Sequence, residues 1–176
     1  CIVTTGVTIS EPSALSSTIT GTSVNCNGSC TGIAISSPSG GTAPYTYLWD
    51  DPGFQTAATA TGLCTGTVNV SVTDAVGCTF IGSYTVTGPE SIVLTPSVID
   101  SSRCDVGTGA ISGITASGGT GTLTYQWDDP SFQSGSMATG LIAGSYTLTV
   151  IDSNGCVVLS GPHVVPDFTT PPAPIV

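Results

Sequence analysis

The sequence predicts an all-β protein made of tandem immunoglobulin-like β-sandwich modules that are stapled by disulfides. The first observation is strict alternation of apolar and polar residues, as in "TVNVSVTD", which indicates strands with one buried face and one wet face. The second is a turn signal roughly every 8–12 residues, of which Asn154-Gly155 is a strong example. About seven short strands per module fit such a sandwich, and a small β-barrel is the alternative.

The third observation is an internal duplication. The phrase "GGTAPYTYLWDDPGFQ" begins at Gly40, and "GGTGTLTYQWDDPSFQ" begins 78 residues later at Gly118. Aligned with this offset and without a gap, residues 26–78 and 104–156 are identical at 23 of 53 positions. Self-similarity at a fixed period is the signature of a repeat array, so the chain contains two tandem modules.

The flanking segments align with an offset of 77 instead, which places Cys1 on Cys78 and Pro12 on Pro89. The chain therefore extends beyond two modules at both sides of the duplication. We expect the last strand of a preceding repeat, two whole sandwich repeats, and the start of a following repeat or linker, at residues 1–12, 13–88, 89–166 and 167–176.

Each repeat has an aromatic central strand that is expected to build its core. In "PYTYLWD" the side chains of Tyr45, Tyr47 and Trp49 share one face of the strand, and repeat two keeps this phase in "LTYQWD". A sugar-binding platform is the alternative role for this aromatic stripe. The predicted core residues of the two repeats are Tyr47, Trp49, Val70, Tyr125, Trp127 and Leu148.

The charge composition excludes several classes of partner. Only 7% of the residues are charged, Arg103 is the single basic residue, and the formal net charge is −10. Nucleic-acid binding needs clustered Lys or Arg, so we expect no nucleic-acid partner. No apolar run approaches the roughly 18 residues of a membrane span, so we expect no membrane insertion. The acidic surface serves solubility, with binding of divalent cations as the alternative.

The acidic clusters of the chain are the pairs in "WDDP", formed by Asp50 and Asp51 and by Asp128 and Asp129. Calcium takes six to eight oxygen ligands, which is more than one pair supplies, so we expect structural turns and keep calcium as the alternative. His163 is the only histidine, and no Ser–His–Asp arrangement is credible around it. We therefore expect no enzyme activity and no cofactor.

Seven cysteines in this composition predict a disulfide framework and an extracellular location. Cys26 and Cys78 are 52 residues apart, and so are Cys104 and Cys156. Because the same spacing recurs at the same repeat positions, we expect Cys26–Cys78 and Cys104–Cys156 bonds.

A second pair is expected in repeat one alone. Cys30 and Cys64 are both absent from repeat two, where Thr108 and Ile142 stand at the equivalent positions. The loss of both together is what a bonded pair predicts, so we expect a Cys30–Cys64 disulfide. Cys1 is expected to bond to a preceding repeat.

The motifs "CNGSC", "GGTAPYTYLWDDP", "GLCTG" and "VTDAVGC" occur in this order in repeat one and resemble the SprB-type repeat. Such repeats are similar to PKD and immunoglobulin-like modules and build very large cell-surface adhesins of gliding Bacteroidota. The resemblance covers nearly the whole chain, although repeat two departs from it at Thr108, Thr122 and Ile142. It implies export to the surface by the type IX route and a role in adhesion or gliding filaments.

The residues and the resemblance together predict a structural or adhesive segment of a long repetitive protein of the cell surface or of an extracellular filament. The expected partners are neighbouring repeats of the same array, with surface polysaccharide or other filament chains as further candidates. Two alternatives stay open. One is a carbohydrate-binding accessory module of a secreted protein, and the other is a short subunit of a non-covalent extracellular filament.

Overall fold

The computed structural model describes residues 11–103 and 106–168 of the chain. These residues form two compact units. Unit 1 comprises residues 11–24 and 28–88, and unit 2 comprises residues 25–27 and the described residues from 89 onward. Unit 2 thus includes a three-residue segment that belongs to repeat one by sequence.

Unit 1 contains six strands, with the bounds β1 (Ser16–Thr22), β2 (Gly32–Ser39), β3 (Thr46–Trp49), β4 (Thr59–Leu63), β5 (Gly66–Thr73) and β6 (Thr79–Val86). They form two antiparallel sheets with the strand orders β1-β2-β4 and β3-β5-β6. The first, second and fourth strands therefore share one sheet, and the third, fifth and sixth share the other. This is the distribution of strands A, B, E and C, F, G in an immunoglobulin sandwich.

Unit 2 repeats this plan with more strands, and the strands of its first main sheet are shorter than those of unit 1. Their bounds are β7 (Val93–Leu94), β8 (Val98–Asp100), β9 (Ser102–Arg103), β10 (Gly109–Ser112), β11 (Ala116–Ser117), β12 (Thr124–Trp127), β13 (Ala138–Leu141), β14 (Gly144–Ile151), β15 (Val157–Val165) and β16 (Asp167–Phe168). The main sheets have the orders β13-β10-β8 and β12-β14-β15, and the pairs β11-β7 and β16-β9 form two further small sheets.

All the regular secondary structure of the described residues is β-strand. None of those residues forms a helix long and apolar enough to span a membrane. The prediction of an all-β chain of tandem immunoglobulin-like, disulfide-containing β-sandwich modules is confirmed.

The core of unit 1 is built from both of its sheets around Trp49, which is fully buried. The alternation of β5 turns Val70 and Val72 inward and leaves Asn69 exposed, as the period of two requires. The indole Nε1 of Trp49 donates to the carbonyl oxygen of Ala57 at 2.9 Å, so the polar atom of the buried ring has a partner.

The core of unit 2 is equivalent, with Trp127 and Leu148 both fully buried. The indole Nε1 of Trp127 donates to the carbonyl oxygen of Gly135 at 3.0 Å. Tyr47 and Tyr125 are half-buried and pack against the two cores. Trp49 and Trp127, at the end of the aromatic stripe in each unit, are inaccessible to solvent. Each tryptophan therefore packs in the core and offers no ring surface for binding a sugar.

The structure contains two disulfides in its described residues, Cys30–Cys64 in unit 1 and Cys26–Cys156 in unit 2. The first is the pair that the sequence predicted. The predicted Cys26–Cys78 bond is wrong, and so is the predicted Cys104–Cys156 bond, because the partner of Cys26 is Cys156 and Cys78 is a free, exposed thiol. Cys1 and Cys104 lie outside the described residues.

The length of β6 explains why Cys26 cannot reach Cys78. The backbone N–H of Val24, two residues before Cys26, donates to the carbonyl oxygen of Thr87 just after β6 ends. Cys78 immediately precedes β6. Eight residues of strand span roughly 27 Å, whereas the Cα atoms of a disulfide lie within about 7 Å. The equal spacing of 52 residues therefore marks equivalent repeat positions and not bonded partners.

Candidate functional site

The turn that follows the central strand is nearly identical in the two units and presents an exposed phenylalanine in each. We call residues 50–55 and 128–133 the phenylalanine turns. They follow β3 and β12, whose tryptophans anchor them to the cores. In unit 1 the N–H of Trp49 donates to the carbonyl oxygen of Gln55, and in unit 2 the N–H of Trp127 donates to that of Gln133, both at 2.9 Å.

A buried aspartate organises the phenylalanine turn of unit 1. One oxygen of Asp51 accepts from the backbone N–H of Gly53 at 2.9 Å, and the other accepts from the backbone N–H of Gln55 at 3.0 Å. The side-chain amide of Gln55 also donates to Asp51 at 3.0 Å. The same amide exchanges two hydrogen bonds with the backbone of Thr61 in β4, which ties the turn to the opposite sheet.

Unit 2 repeats these bonds with its own residues. Asp129, which is 2% exposed, accepts from the backbone N–H groups of Ser131 and Gln133 at 3.0 and 2.8 Å. The side-chain amide of Gln133 donates to Asp129 at 3.1 Å and exchanges two bonds with the backbone of Thr139. Identical geometry in both units shows that the "DDPxFQ" phrase encodes the shape of the turn.

The carboxylates that were candidate calcium ligands face N–H donors. Asp50 accepts from the backbone and side-chain nitrogens of Asn69 at 2.7 and 2.6 Å, and Asp128 accepts from the backbone N–H of Thr147 at 2.7 Å. Calcium requires several oxygens converging on one point. Among the described residues, no group of three or more His, Cys, Asp or Glu side chains converges in this way. The arrangement favours the structural interpretation of Asp50, Asp51, Asp128 and Asp129.

Hydrogen bonding keeps the buried aspartates ionised. Burial raises the pKa of Asp51, but the bonds from Gln55 and Gly53 outweigh this effect and hold the pKa below its ordinary value of 3.8. The pKa of Asp129 is lowered in the same way by Gln133 and Ser131, against the opposing effect of burial. These carboxylates therefore stabilise the fold while they are charged.

Replacing Asp129 with asparagine is expected to lower the free energy of unfolding of unit 2 by about 1–3 kcal/mol at pH 7, because an amide nitrogen would then face backbone N–H groups. The matched control is Asp128→Asn, since Asp128 is exposed and should cost less than about 1 kcal/mol. Urea unfolding checks both values. Equal losses in the two variants would contradict the role of the buried carboxylate.

The same change is expected to weaken the acid sensitivity of the chain. The pKa of Asp129 is lower in the folded chain than its unfolded value of 3.8. The contribution of Asp129 to the free energy of unfolding is therefore fully present above pH 3.8 and is lost as the pH falls through the lower folded pKa. Between pH 7 and pH 2 the melting temperature should therefore fall less steeply in Asp129→Asn than in the parent chain. Parallel profiles would show that Asp129 is not a source of the acid dependence.

The side chains that these turns present are Phe54 and Phe132, which are 67% and 70% exposed. Their backbone φ angles are +47° and +48°, a left-handed conformation that bulky residues rarely adopt. Strain of this kind persists where the surroundings fix the backbone and is concentrated at functional positions. Neither phenylalanine was predicted as a functional residue, although its recurrence in "DDPGFQ" and "DDPSFQ" is a signal that the sequence contains.

Phe54 lies beside an apolar groove on the outer face of the β3-β5-β6 sheet. The groove has a volume of about 250 Å³, and its rim includes Leu48 and Ile81, which are 51% and 73% exposed. Unit 2 carries Gln126 in place of Leu48, and its side-chain amide donates to the carbonyl oxygen of Phe132 at 2.9 Å. The surface next to the exposed phenylalanine is therefore more apolar in unit 1.

The family model of the SprB repeat matches residues 18–54. Curated protein sequences give no match. Immunoglobulin domains 1–5 of Sidekick-1 align with 90% of this chain at 12% identity and a TM-score of 0.41, and this chain spans 40% of that one. The BSP domain of a biofilm associated protein aligns with 87% at 15% identity and a TM-score of 0.27, and this chain spans 30% of it.

Both structural likenesses are too distant to indicate a shared function. The family match is of another kind, because it rests on sequence and covers the segment from β1 to the exposed Phe54. It contains the "CNGSC" and "GGTAPYTYLWDDP" motifs on which the resemblance was based. The resemblance to the SprB repeat is thereby confirmed over residues 18–54.

Proposed function

We propose that the chain is a structural and adhesive segment of a long repetitive protein at the cell surface. The observation that carries this proposal is the recurrence of one exposed, conformationally strained phenylalanine, Phe54 and Phe132, on two successive sandwiches. A buried aspartate holds each turn in the same geometry. We take residues 13–88 and 89–166 as the two complete repeats that present these contacts.

The surface chemistry of the chain supports an adhesive role. An exposed aromatic ring offers a large contact area at a low cost in side-chain entropy. The net charge of −10, with a single basic residue, keeps such a chain dissolved and disfavours binding to other acidic surfaces. The segment then works as a non-enzymatic spacer whose repeats multiply weak contacts, since linked contacts raise the overall avidity.

The SprB-repeat match over residues 18–54 supports the cellular setting. In this setting the chain is exported by the type IX route and serves in surface adhesion or in gliding motility. Its partners are neighbouring repeats of the same array, together with surface polysaccharide or other filament chains. The disulfides fit an oxidising, extracytoplasmic location.

A carbohydrate-binding accessory module is the second candidate function. It is favoured by Phe54, whose exposed ring stands beside the groove rimmed by Leu48 and Ile81. Aromatic rings bind the apolar faces of sugars, and a single groove is the expected form for such a site. Under this candidate the contact belongs to unit 1 alone, because unit 2 carries Gln126 at the rim.

The double variant Phe54→Ala, Phe132→Ala is expected to reduce adhesion of chain-coated beads to polystyrene and agarose roughly tenfold, because these surfaces are uncharged and each ring contributes its apolar area to the contact. Melting should change little, since both side chains are exposed. The control is Val93→Ala, which removes a 58% exposed apolar side chain away from the turns. Unchanged adhesion in the double variant would overturn the proposal.

The single variants separate the two candidate functions. Equal, partial losses in Phe54→Ala and Phe132→Ala support the repeated adhesive contact. Loss in Phe54→Ala alone, together with competition by a soluble polysaccharide, supports the carbohydrate-binding module instead.

A further inference from the structure

Unit 2 binds a three-residue loop, residues 25–27. We call the groups that hold this loop, which are Asn154, Cys156 and the carbonyl oxygen of Pro89, the seat. Residues 25–27 lie against the turn that precedes β15, where Cys26 and Cys156 form a disulfide with a Cα–Cα distance of 5.6 Å. The side-chain amide of Asn154 donates to the carbonyl oxygen of Asn25 at 2.9 Å. The side-chain amide of Asn27 donates to the carbonyl oxygen of Pro89 at 3.1 Å. The loop is thus held by one covalent bond and by hydrogen bonds on both sides of it.

An aspartate shapes the turn that carries Cys156. Asp152 accepts from the backbone N–H groups of Asn154 and Cys156, both at 2.9 Å, and from that of Thr120 at 2.8 Å. The backbone N–H of Asp152 in turn donates to the carbonyl oxygen of Cys156 at 3.1 Å. These bonds fix the direction of the cysteine at the start of β15.

Unit 1 carries the same turn. Asp74 accepts from the backbone N–H groups of Val76 and Cys78 at 3.0 and 2.8 Å, and from that of Thr42 at 2.9 Å. The backbone N–H of Asp74 donates to the carbonyl oxygen of Cys78 at 2.9 Å. Cys78 therefore has the position that Cys156 has in unit 2, but it is exposed and unbonded.

In unit 2 the side chain of Asn27 binds the carbonyl oxygen of Pro89. The segment around Pro89 has a counterpart in unit 1. The N–H of Gly119 donates to the carbonyl oxygen of Glu90, and the N–H of Gly41 donates to that of Ser13, at 3.0 and 2.7 Å. Because the two bonds are equivalent, Pro12, which precedes Ser13, has the position in unit 1 that Pro89, which precedes Glu90, has in unit 2. We call the turns 74–78 and 152–156, which carry Cys78 and Cys156, the cysteine turns. Unit 1 thus has both parts of the seat, the cysteine turn and the carbonyl oxygen of a proline.

We propose that Cys78 is the acceptor half of a covalent link between repeats and bonds to the cysteine of an Asn-Cys-Asn loop supplied by another repeat of this type. The loop 25–27 and Cys156 show the completed form of this link within the chain. The inference rests on the repetitive part of the proposed function and does not depend on adhesion. Each cysteine turn then receives the loop of a different repeat, and the links run along the array.

The bond forms by thiol–disulfide exchange with a small disulfide such as oxidised glutathione. The loop cysteine first becomes a mixed disulfide with glutathione, which releases one glutathione thiol. The Cys78 thiolate then attacks the loop sulfur, the new S–S bond forms, and the second glutathione leaves as a thiolate that takes up a proton. Two protein thiols are oxidised, and one oxidised glutathione is reduced to two thiols.

The seat of unit 1 differs from the occupied seat at one contact. Val76 stands where Asn154 donates to the loop carbonyl, and its side chain is 67% exposed. A valine cannot donate this hydrogen bond, so the loop is held less tightly by unit 1. The difference supplies a variant that should strengthen the link.

The test uses the full chain with Cys1→Ser and Cys104→Ser, so that Cys78 is the thiol left to react. The probe is a peptide with the sequence of residues 23–29, "SVNCNGS", in a buffer of reduced and oxidised glutathione. Intact mass gives the ratio of peptide-linked chain to glutathione-linked chain. We expect about tenfold more linkage than with a scrambled peptide of the same composition, because only the native order places both asparagines.

Val76→Asn is expected to raise the linked fraction a further two- to tenfold, which is the effect of one added hydrogen bond. Equal linkage of the native and scrambled peptides, with no gain in Val76→Asn, would overturn the proposal. Peptide mapping of native material without reduction gives an independent check. A Cys78 peptide joined to a loop-cysteine peptide supports the link, and a free or glutathione-capped Cys78 argues against it.

A denaturing gel of the native material distinguishes a loop of the same polypeptide from a loop of a separate chain. A loop from the same polypeptide leaves the mass on a denaturing gel unchanged by reduction. A loop from a separate chain makes the mass fall when reductant is added. Both results keep the chemistry of the link and differ only in where the donor repeat is attached.

Discussion

Replacing Trp127 with alanine is expected to lower the free energy of unfolding of unit 2 by about 3–5 kcal/mol. The ring is fully buried among the residues of both main sheets, including Leu148 and Ile111, and its removal leaves a cavity that rigid β-strands cannot fill. The variant also leaves the carbonyl oxygen of Gly135 without its indole donor. Denaturant unfolding followed by amide exchange in β14 measures the loss.

The matched control is Leu159→Ala in β15, because Leu159 is 65% exposed and should change the stability by no more than about 0.5 kcal/mol. Unit 1 supplies a second control, since amide exchange in β5 should be unaffected by the change at Trp127. A Trp127→Ala variant that is as stable as Leu159→Ala would contradict the packing described for this core.

Replacing Cys156 with serine is expected to lower the stability of unit 2 by about 4–5 kcal/mol. The Cys26–Cys156 bond spans 130 residues, and in the chain-entropy model a loop of this length restricts the unfolded chain strongly. Unit 1 stays folded within the loop, so the effective loop is shorter and the effect stays near the lower value. Amide exchange in β14 under oxidising conditions measures it.

The control for this prediction is Cys30→Ser, which opens the 34-residue loop of unit 1. It should destabilise unit 1 by about 4 kcal/mol and leave exchange in β14 unchanged. Cys78→Ser should change neither unit, because Cys78 has no disulfide partner in the structure. Destabilisation by Cys78→Ser equal to that by Cys156→Ser would restore the pairing that the spacing first suggested.

The sheets and cores could be predicted because they depend on local patterns. The alternation in "TVNVSVTD" gives β5 its inward valines, and the phase of "PYTYLWD" gives β3 its buried tryptophan. The duplication strengthens these predictions, because it shows which positions keep the same residue on two sandwiches. The loss of Cys30 and Cys64 together revealed their bond for the same reason.

The partner of Cys26 could not be predicted in this way. Equal spacing shows that Cys26 and Cys104 are equivalent positions, and so are Cys78 and Cys156, but it contains no information on which sulfurs meet. The answer depends on the length of β6, which keeps Cys78 away from residues near Val24. The left-handed backbone of Phe54 is hidden from the sequence too, because the bonds to Asp51 impose a conformation that phenylalanine does not prefer.

The Cys26–Cys156 bond also determines how the chain carries a mechanical load. Tension applied before residue 26 and after residue 156 passes from one sulfur to the other, and the intervening backbone is bypassed. The Cys30–Cys64 bond keeps 34 of these 130 residues closed, so the remaining 96 would add about 320–350 Å of contour length if they were drawn out fully. While the bond is intact this length stays closed, so the strands between the two cysteines bear no direct pull. Once this one bond is reduced, the paired strands carry the load themselves, and only their unfolding releases the enclosed length.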